Sequence, residues 1–183
     1  WMMRMITQFM NAGKYEGDAY IYGHDEVIHI LKDMANTLLV PKQSALIGKR
    51  LHLVEVKDQE TKEIMGHPVT FFDIHSTKAK QFGFMMEYDG KKLTCCGDEP
   101  YCKEEKVYAE NADVLLHEAF CLYEERGFRH PYEKHHSTVK DACELAQKLH
   151  IKNLVLYHTE DDHVDNRKEL YKAEGSQYYT GNI

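Results

Sequence analysis

The sequence has 183 residues, 43% of them apolar and 29% charged, and a formal net charge of −7 with neutral histidines. This composition is ordinary for a globular domain, and its apolar runs are too short to span a bilayer. The excess of acidic residues disfavours extended binding to nucleic acid. The first residues lack the pattern of a signal peptide, and the five irregularly spaced cysteines favour reduced thiols. We therefore expect a cytoplasmic protein.

The first third of the chain alternates between helical and extended patterns. Apolar residues recur at helical spacing in two segments, and the second segment begins with Asp25 as its expected cap. The predicted elements are a helix over 1–12, a strand over 19–22, a helix from Asp25 to about Leu38, a turn or short helix at Pro41, a strand from Leu51 and a solvated charged loop over 57–63.

The remaining chain is richer in strands. Asp89-Gly90 between two alternating segments predicts a hairpin, which makes the middle of the chain antiparallel. Ser137 or Thr138 is expected to cap a helix whose buried stripe ends at Leu149. The predicted strands cover 69–74, 82–88, 92–96, 112–116 and 153–157, and a last helix covers about 165–173.

Three of these strands end at side chains that are suited to bind metal ions. His75 follows strand 69–74, Asp98 follows strand 92–96, and His158 follows strand 153–157. Strands that converge on one rim place such residues in one pocket, and histidine and aspartate are common ligands of zinc and manganese. Spacing alone is weak support, because a histidine at a strand end is more often a polar cap.

Five motifs, taken in chain order, resemble those of the metallo-β-lactamase superfamily. The similarity is strongest to the branch that contains ribonuclease Z, and it covers most of the chain. The resemblance depends on all five motifs occurring in the right order, and no single motif carries it. The motifs are His75-Ser76, the run Leu93–Asp98, the run Ala112–Ala119 with His117-Glu118, His136-Ser137-Thr138, and the run Leu154–His158.

The resemblance implies the αββα four-layer sandwich of that superfamily. We expect a single domain over residues 1–183, corresponding to about the C-terminal two-thirds of the fold and incomplete at both ends. The resemblance also implies two divalent metal ions, zinc ahead of manganese or iron. His75 matches a ligand of the first metal, Asp98 the carboxylate that bridges both metals, and His158 the last ligand of the second.

The same resemblance assigns catalytic roles to Glu118 and His136, which match a pair that handles the proton of the leaving group. The two metals would activate a water molecule as the nucleophile, and a protonated His136, oriented by Glu118, would donate to the departing alkoxide. We expect the carboxylate to raise the pKa of His136. The predicted activity is metal-dependent hydrolysis of a phosphodiester or a related ester.

One signature of the superfamily, His-x-His-x-Asp-His, is absent from the sequence. It would precede a helix like that of residues 1–12, so we expect a fragment of a longer protein rather than a chain that has lost the motif. Without the signature each metal keeps two ligands, where stable sites use three or four. The similar run His158 to His163 carries Glu160 in place of the central histidine, and its chain position matches the final ligand instead.

The substrate and partners follow from the same comparison. Only residues 99–111 separate the Gly-Asp loop from the next strand, which leaves no room there for the arm by which transfer-RNA-processing members grip RNA. A small ester is therefore favoured over transfer RNA, with a homodimer that uses helix 1–12 and no membrane partner. The alternative function is a metal-deficient, non-catalytic binding or oligomerisation module of the same fold, and metal content distinguishes the two.

Overall fold

The computed structural model describes residues 1–183. Contacts within the chain group into two compact units, Trp1–Asp58 and Gln59–Ile183. The expectation of one domain that includes both units stays a prediction. None of the helices has the length and apolar character needed to cross a membrane.

The first unit contains three helices and a two-stranded sheet. Its strands β1 and β2 run parallel, with Ala19 opposite Leu51. Both residues are buried in a core that also contains Met3, Met10 and Ala35. The elements are α1 (Met2–Asn11), β1 (Ala19–Gly23), α2 (Asp25–Leu38), α3 (Pro41–Ser44) and β2 (Leu51–Glu55).

The buried face of α1 differs from the predicted apolar stripe. Met2 is 61% exposed and Phe9 is 42% exposed, whereas Thr7 is fully buried. Thr7 tolerates burial because its hydroxyl donates a hydrogen bond to the carbonyl of Met3 at 2.8 Å. The apolar pattern indicated a helix correctly, but it did not show which side of that helix meets the core.

The N-terminus of α2 also corrects an expectation. The N-cap is His24, whose ring nitrogen accepts a hydrogen bond from the backbone N–H of Val27 at 3.4 Å. Asp25 lies in the first turn, where its charge complements the helix dipole.

The second unit contains a six-stranded sheet with the order β3-β4-β5-β6-β7-β8. Its first four strands are antiparallel neighbours, and β6, β7 and β8 are parallel. The strands are β3 (Thr61–Ile64), β4 (His67–Asp73), β5 (Phe82–Tyr88), β6 (Lys91–Cys95), β7 (Val114–Glu118) and β8 (Asn153–Tyr157). The helices are α4 (Lys106–Ala109), α5 (Arg126–Arg129), α6 (Val139–Lys148) and α7 (Arg167–Gly175).

Strand β3 was not predicted, since its sequence was interpreted as part of a solvated loop. It pairs with β4 as the outer strand of the sheet, from Thr61 opposite Thr70 to Ile64 opposite His67. The connecting residues Met65 and Gly66 both have positive φ, as a tight hairpin turn requires. Charged residues are typical of edge strands, so polarity hid this strand from a periodicity argument.

Helix α6 is the predicted helix after Thr138, and it covers the parallel part of the sheet. The Thr138 hydroxyl accepts from the backbone N–H of Asp141, and the Asp141 carboxylate accepts from Thr138. This reciprocal capping box sets the start of the helix. Its buried face packs in a core with Leu115 of β7 and Leu154 of β8, so the helix fixes the two strands that lead to the candidate site.

The strand directions determine where functional residues can meet. β4 and β6 are both antiparallel to β5, so they run in the same direction. β7 and β8 are parallel to β6. The carboxyl ends of four strands therefore lie at one edge of this sheet, in agreement with the predicted convergence.

Candidate active site

The predicted site residues lie at this carboxyl edge. His75 follows the end of β4, Asp98 follows β6, Glu118 is the last residue of β7, and His158 comes directly after β8. His136 lies in the loop that leads to α6. The carboxyl ends of parallel strands are the usual position of ligand sites in such sheets.

Four of these five residues form a continuous series of contacts. Nδ1 of His136 lies 3.5 Å from Oε2 of Glu118. The rings of His136 and His158 meet edge to face, with centroids 4.9 Å apart. Nδ1 of His158 lies 3.3 Å from Oδ2 of Asp98. The fold thus connects the predicted proton-transfer pair to two of the predicted metal ligands.

His75 stands apart from this series. Its side chain is exposed, and its backbone N–H donates to the carboxylate of Asp73 at 2.7 Å. His75 and His158 both have positive φ, 55° and 52°. Histidine is among the residues that adopt this conformation more readily than most, and such backbone strain is common at functional sites. The assignment of His75 as a metal ligand stays a prediction.

The environment of Asp98 fits a bound cation. Its Oδ1 is buried and has no hydrogen-bond partner. A buried carboxylate oxygen without a partner is costly unless a positive charge or a donor reaches it. A carboxylate and an imidazole beside each other are also the donor types that zinc and manganese accept. Asp98 and His158 therefore fit a divalent metal ion, and His75 would be a third donor from the same edge.

Burial dominates the electrostatics of the proton-transfer pair. Burial raises the pKa of Glu118 to about 7, although Oε1 accepts hydrogen bonds from Ser137 that favour the charged form. The pKa of His136 is lowered, first by burial and then by the positive charges of Lys78 and His158. The expected rise in the pKa of His136 is therefore wrong, because burial and the charges of Lys78 and His158 outweigh the carboxylates of Asp98 and Glu99, which favour the charged imidazole.

Glu99 is a site residue that sequence reasoning missed. It is 5% exposed and accepts hydrogen bonds from the Ser76 hydroxyl at 2.8 Å and from the Thr77 hydroxyl at 3.2 Å. Burial alone would raise the pKa of Glu99, but these hydrogen bonds and the nearby Lys78 lower it below its ordinary value. Glu99 therefore joins the loop after Asp98 to the loop after His75. Its position directly after Asp98 was the available signal.

Lys78 was also missed, because an exposed lysine has no distinctive sequence pattern. Its ammonium group donates to the carbonyl of Lys134 at 3.0 Å, and its charge lowers the pKa of His136. Lys78 thus places a positive charge beside the site, which suits an anionic substrate.

A second group of potential ligands lies farther along the chain. Ligand atoms of Glu125, Glu160 and His163 lie within 4.8 Å of one another. The guanidinium group of Arg129 lies 3.8 Å from the Glu125 carboxylate and 3.3 Å from that of Glu160, and it also pairs with Asp162. Arg129 and His163 already pair with these carboxylates, so the group is an ion-pair network that fastens the segment after His158.

With the geometry described, the comparisons identify the family. A family model described as Beta-lactamase superfamily domain matches residues 5–159. The chain belongs to this superfamily. Ribonuclease Z of Thermococcus onnurineus (strain NA1) is 39% identical over 87 residues, which are 44% of this chain and 26% of that relative. Ribonuclease Z of Halalkalibacterium halodurans is 36% identical over 83 residues, 45% of this chain and 26% of that relative. The predicted resemblance is confirmed, and the matches span about a quarter of these relatives' length.

Solved structures confirm the fold class. The metallo-beta-lactamase fold protein YhfI from Bacillus subtilis has a TM-score of 0.73 at 16% identity and covers 100% of this chain and 66% of its own. Human tRNase Z, short form, has a TM-score of 0.65 at 16% identity and covers 89% of this chain and 67% of its own. The chain therefore has the metallo-β-lactamase fold, and identities this low say nothing further about chemistry.

The two buried glutamates give opposite predictions for stability. Glu118→Gln should stabilise the metal-free protein at pH 8 by up to about 3 kcal/mol, because a carboxyl whose folded pKa is raised to about 7 costs stability as pH rises from its unfolded value, and that cost is complete by pH 8. At pH 4, where wild-type Glu118 is protonated, the gain should vanish. Urea unfolding of both proteins at the two pH values measures this difference.

Glu99→Gln is the matched control. The lowered pKa of Glu99 contributes stability that is present above its unfolded value and lost as pH falls through its folded value. The variant should lose about 1–3 kcal/mol at pH 7 and little in acid. Destabilisation by Glu118→Gln at pH 8, or a pH-independent loss in Glu99→Gln, would contradict these assignments.

Proposed function

We propose that this chain is part of a metal-dependent hydrolase that cleaves a phosphodiester or a related ester. The observation that carries the proposal is the series Glu118–His136–His158–Asp98 at the carboxyl edge of the sheet. This arrangement supports a proton-transfer role for Glu118 and His136 beside groups that would hold a metal ion. Membership of the superfamily supports this reaction class, as do the names of the ribonuclease Z relatives.

The metal-binding part consists of Asp98, His158 and His75. When bound, divalent metal ions supply a Lewis acid and an activated water at neutral pH. The contribution of the chain is to hold the donors. Asp98 keeps one oxygen against His158 and the other buried without a partner, and Glu99 ties the Asp98 loop to the loop that follows His75. The proposal includes two divalent ions, zinc ahead of manganese or iron, which Asp98 and His158 would help to hold, with His75 as a further donor.

The proton-transfer part consists of Glu118 and His136. Burial favours the neutral form of each group, because it raises the pKa of Glu118 to about 7 and lowers the pKa of His136. Nδ1 of His136 faces Glu118, so Nε2 is the nitrogen left to serve the substrate. As a water oxygen bonds to phosphorus and the bond from phosphorus to the leaving oxygen breaks, Nε2–H donates its proton to the leaving oxygen and Nδ1 receives the proton of Glu118. A carboxylate then remains, and it regains a proton before the next turnover.

A small ester remains the proposed substrate. Residues 99–111 fold compactly as a 3₁₀ turn over Lys103–Glu105 followed by α4, and Glu105 is buried. This segment offers no arm that could grip RNA, and the net charge of −7 disfavours a polyanion.

Metal binding provides the first test. Asparagine accepts positive φ, so His158→Asn should remove the donor while keeping the backbone, and bound zinc per chain should fall by at least half. His150→Asn is the control, because His150 has a φ of 56° and an exposed side chain in the turn before β8. Elemental analysis after zinc loading and gel filtration measures the content. A wild-type protein that binds no metal would leave the alternative, a non-catalytic module of the same fold.

The role of His136 has a distinct kinetic test. His136→Asn should reduce kcat for a phosphodiester with an alkyl leaving group by about 10²–10⁴-fold, because alkoxides need a proton. For a 4-nitrophenyl leaving group, which departs without protonation, the loss should be within about tenfold. His135→Asn, at the exposed neighbouring position, should change neither rate. Equal losses for both leaving groups would show that His136 does not act as the general acid.

We also propose that the chain forms a homodimer through α1. Trp1, Met2 and Phe9 are exposed large apolar residues on or beside that helix. The double variant Met2→Lys, Phe9→Lys should shift the protein to monomers in sedimentation velocity, whereas Val107→Lys, at an exposed position on α4, should not. A wild-type protein that is monomeric at all concentrations would refute the dimer.

A further inference from the structure

Lys78 connects the loop that follows His75 to the loop that precedes His136. Its ammonium group donates a hydrogen bond to the carbonyl of Lys134 at 3.0 Å, and Lys134 lies two residues before His136. Both lysine side chains are exposed, and neither ammonium group forms an ion pair with a carboxylate. Two ammonium groups without carboxylate partners therefore lie at one margin of the candidate site.

Phe120 links the second of these ammonium groups to His136. Nζ of Lys134 lies 5.0 Å from the centroid of the Phe120 ring, and the face of an aromatic ring attracts a cation. The same ring stacks on the imidazole of His136, with centroids 5.3 Å apart and an angle of 21° between the planes. The ammonium of Lys134 is therefore held close to the group that serves the leaving oxygen.

The charge of Lys78 reaches His136 as well. Burial is the main reason that the pKa of His136 is lowered, and the charge of Lys78 comes next, ahead of that of His158, whose ring contacts His136. Glu99 is an acid whose ionisation Lys78 favours, and its carboxylate accepts its hydrogen bonds from hydroxyl groups. Two ammonium groups beside one carboxylate leave one positive charge in excess on this side of the site.

We propose that Lys78 and Lys134 bind a negative charge carried by the leaving group, so that the substrate is an ester of an alcohol or phenol that bears one anionic group. The phosphoryl group itself would lie at Asp98 and His158, whereas the lysines lie beside His136, which serves the leaving oxygen. One excess positive charge suits a single anionic group, and the net charge of −7 disfavours a polyanion. The leaving-group role rests on the proposed function, but the binding of an anion beside His136 does not depend on hydrolysis.

Two small probes of nearly equal shape test this binding in the metal-free protein, where no metal ion can attract a carboxylate. 3-Hydroxybenzoate carries a negative charge, whereas 3-hydroxybenzamide is neutral. At low salt we expect the benzoate to bind roughly two- to tenfold more tightly, as two exposed charge pairs allow, and about 1 M salt should remove the difference. Titrations followed by NMR shifts of the Lys78 and Lys134 amides measure both affinities. Equal affinities at low salt, or shifts that avoid these residues, would overturn the proposal.

Variants then assign the preference to the two lysines. The double variant Lys78→Met, Lys134→Met keeps the unbranched stems and removes the charges, so the ratio of the two affinities should fall to about one. Lys168→Met, at an exposed position on α7, is the control and should keep the ratio. Retention of the ratio in the double variant, or its loss in the control, would overturn the proposal. If the double variant does not fold, Lys134→Met alone should lower the ratio by about half, and an unchanged ratio would count equally against the proposal.

A separate assay distinguishes this proposal from the proposed function. The zinc-loaded protein should hydrolyse methyl 3-carboxyphenyl phosphate with a kcat/KM roughly two- to tenfold above that for methyl 3-carbamoylphenyl phosphate. The carbamoylphenol is the better leaving group, so intrinsic reactivity opposes this preference. Hydrolysis without the preference would overturn the anion site and keep the hydrolase. A preference for the benzoate in binding without any hydrolysis would overturn the hydrolase and keep the anion site.

Discussion

The parallel pairing of β6, β7 and β8 is the constraint on which the candidate site depends. Because these strands run in one direction, the residues that follow them emerge at one edge, although Asp98, Glu118 and His158 are far apart in the chain. Helix α6 packs on β7 and β8 and its N-cap, Thr138, lies two residues after His136, so the same packing also positions the imidazole. If α6 no longer packed on β7 and β8, the site residues would move apart together.

The surroundings of each buried carboxyl group then decide its pKa. Glu99 and Glu118 are both buried acids near the same edge, yet their pKa values move in opposite directions. Glu99 accepts several hydrogen bonds and remains charged, which suits a residue that ties two loops together. Glu118 has one oxygen, Oε2, that accepts no hydrogen bond and lies 3.5 Å from Nδ1 of His136, and its pKa is raised to about 7, which suits a residue that transfers a proton. The residue type is the same, and only the surroundings separate the two roles.

Histidines at turns form a second theme of the second unit. His75, His130, His135, His150 and His158 all have positive φ. A residue with positive φ turns the backbone sharply, so a histidine at such a position can form the turn and also place its imidazole in a site. Only His158 of these meets another member of the candidate site, and the abundance of histidine is therefore partly a property of the turns.

Much of the fold was accessible from the sequence, because the relevant signals are local. The hairpin at Asp89-Gly90, the capping box at Thr138 and the apolar strand before His158 each predict an element that the structure contains. The errors share a cause as well. Strand β3 is polar because it lies at a sheet edge, and the inward face of α1 includes Thr7, whose hydroxyl is satisfied by its own helix. The pairing of β3 with β4 and the hydrogen bond of the Thr7 hydroxyl are both backbone interactions that a pattern of apolar residues does not show.

The sequence by itself determined the order of the motifs and, through their resemblance, the superfamily, and the five proposed site residues are what that resemblance implies. Only the tertiary structure showed that Glu118, His136, His158 and Asp98 touch in series while His75 stands apart. It alone showed that Glu99 joins two loops and that Nε2 of His117 is buried without a hydrogen-bond partner in the protein. Burial and hydrogen-bond partners set these properties, and both arise from contacts between distant segments that no local pattern encodes.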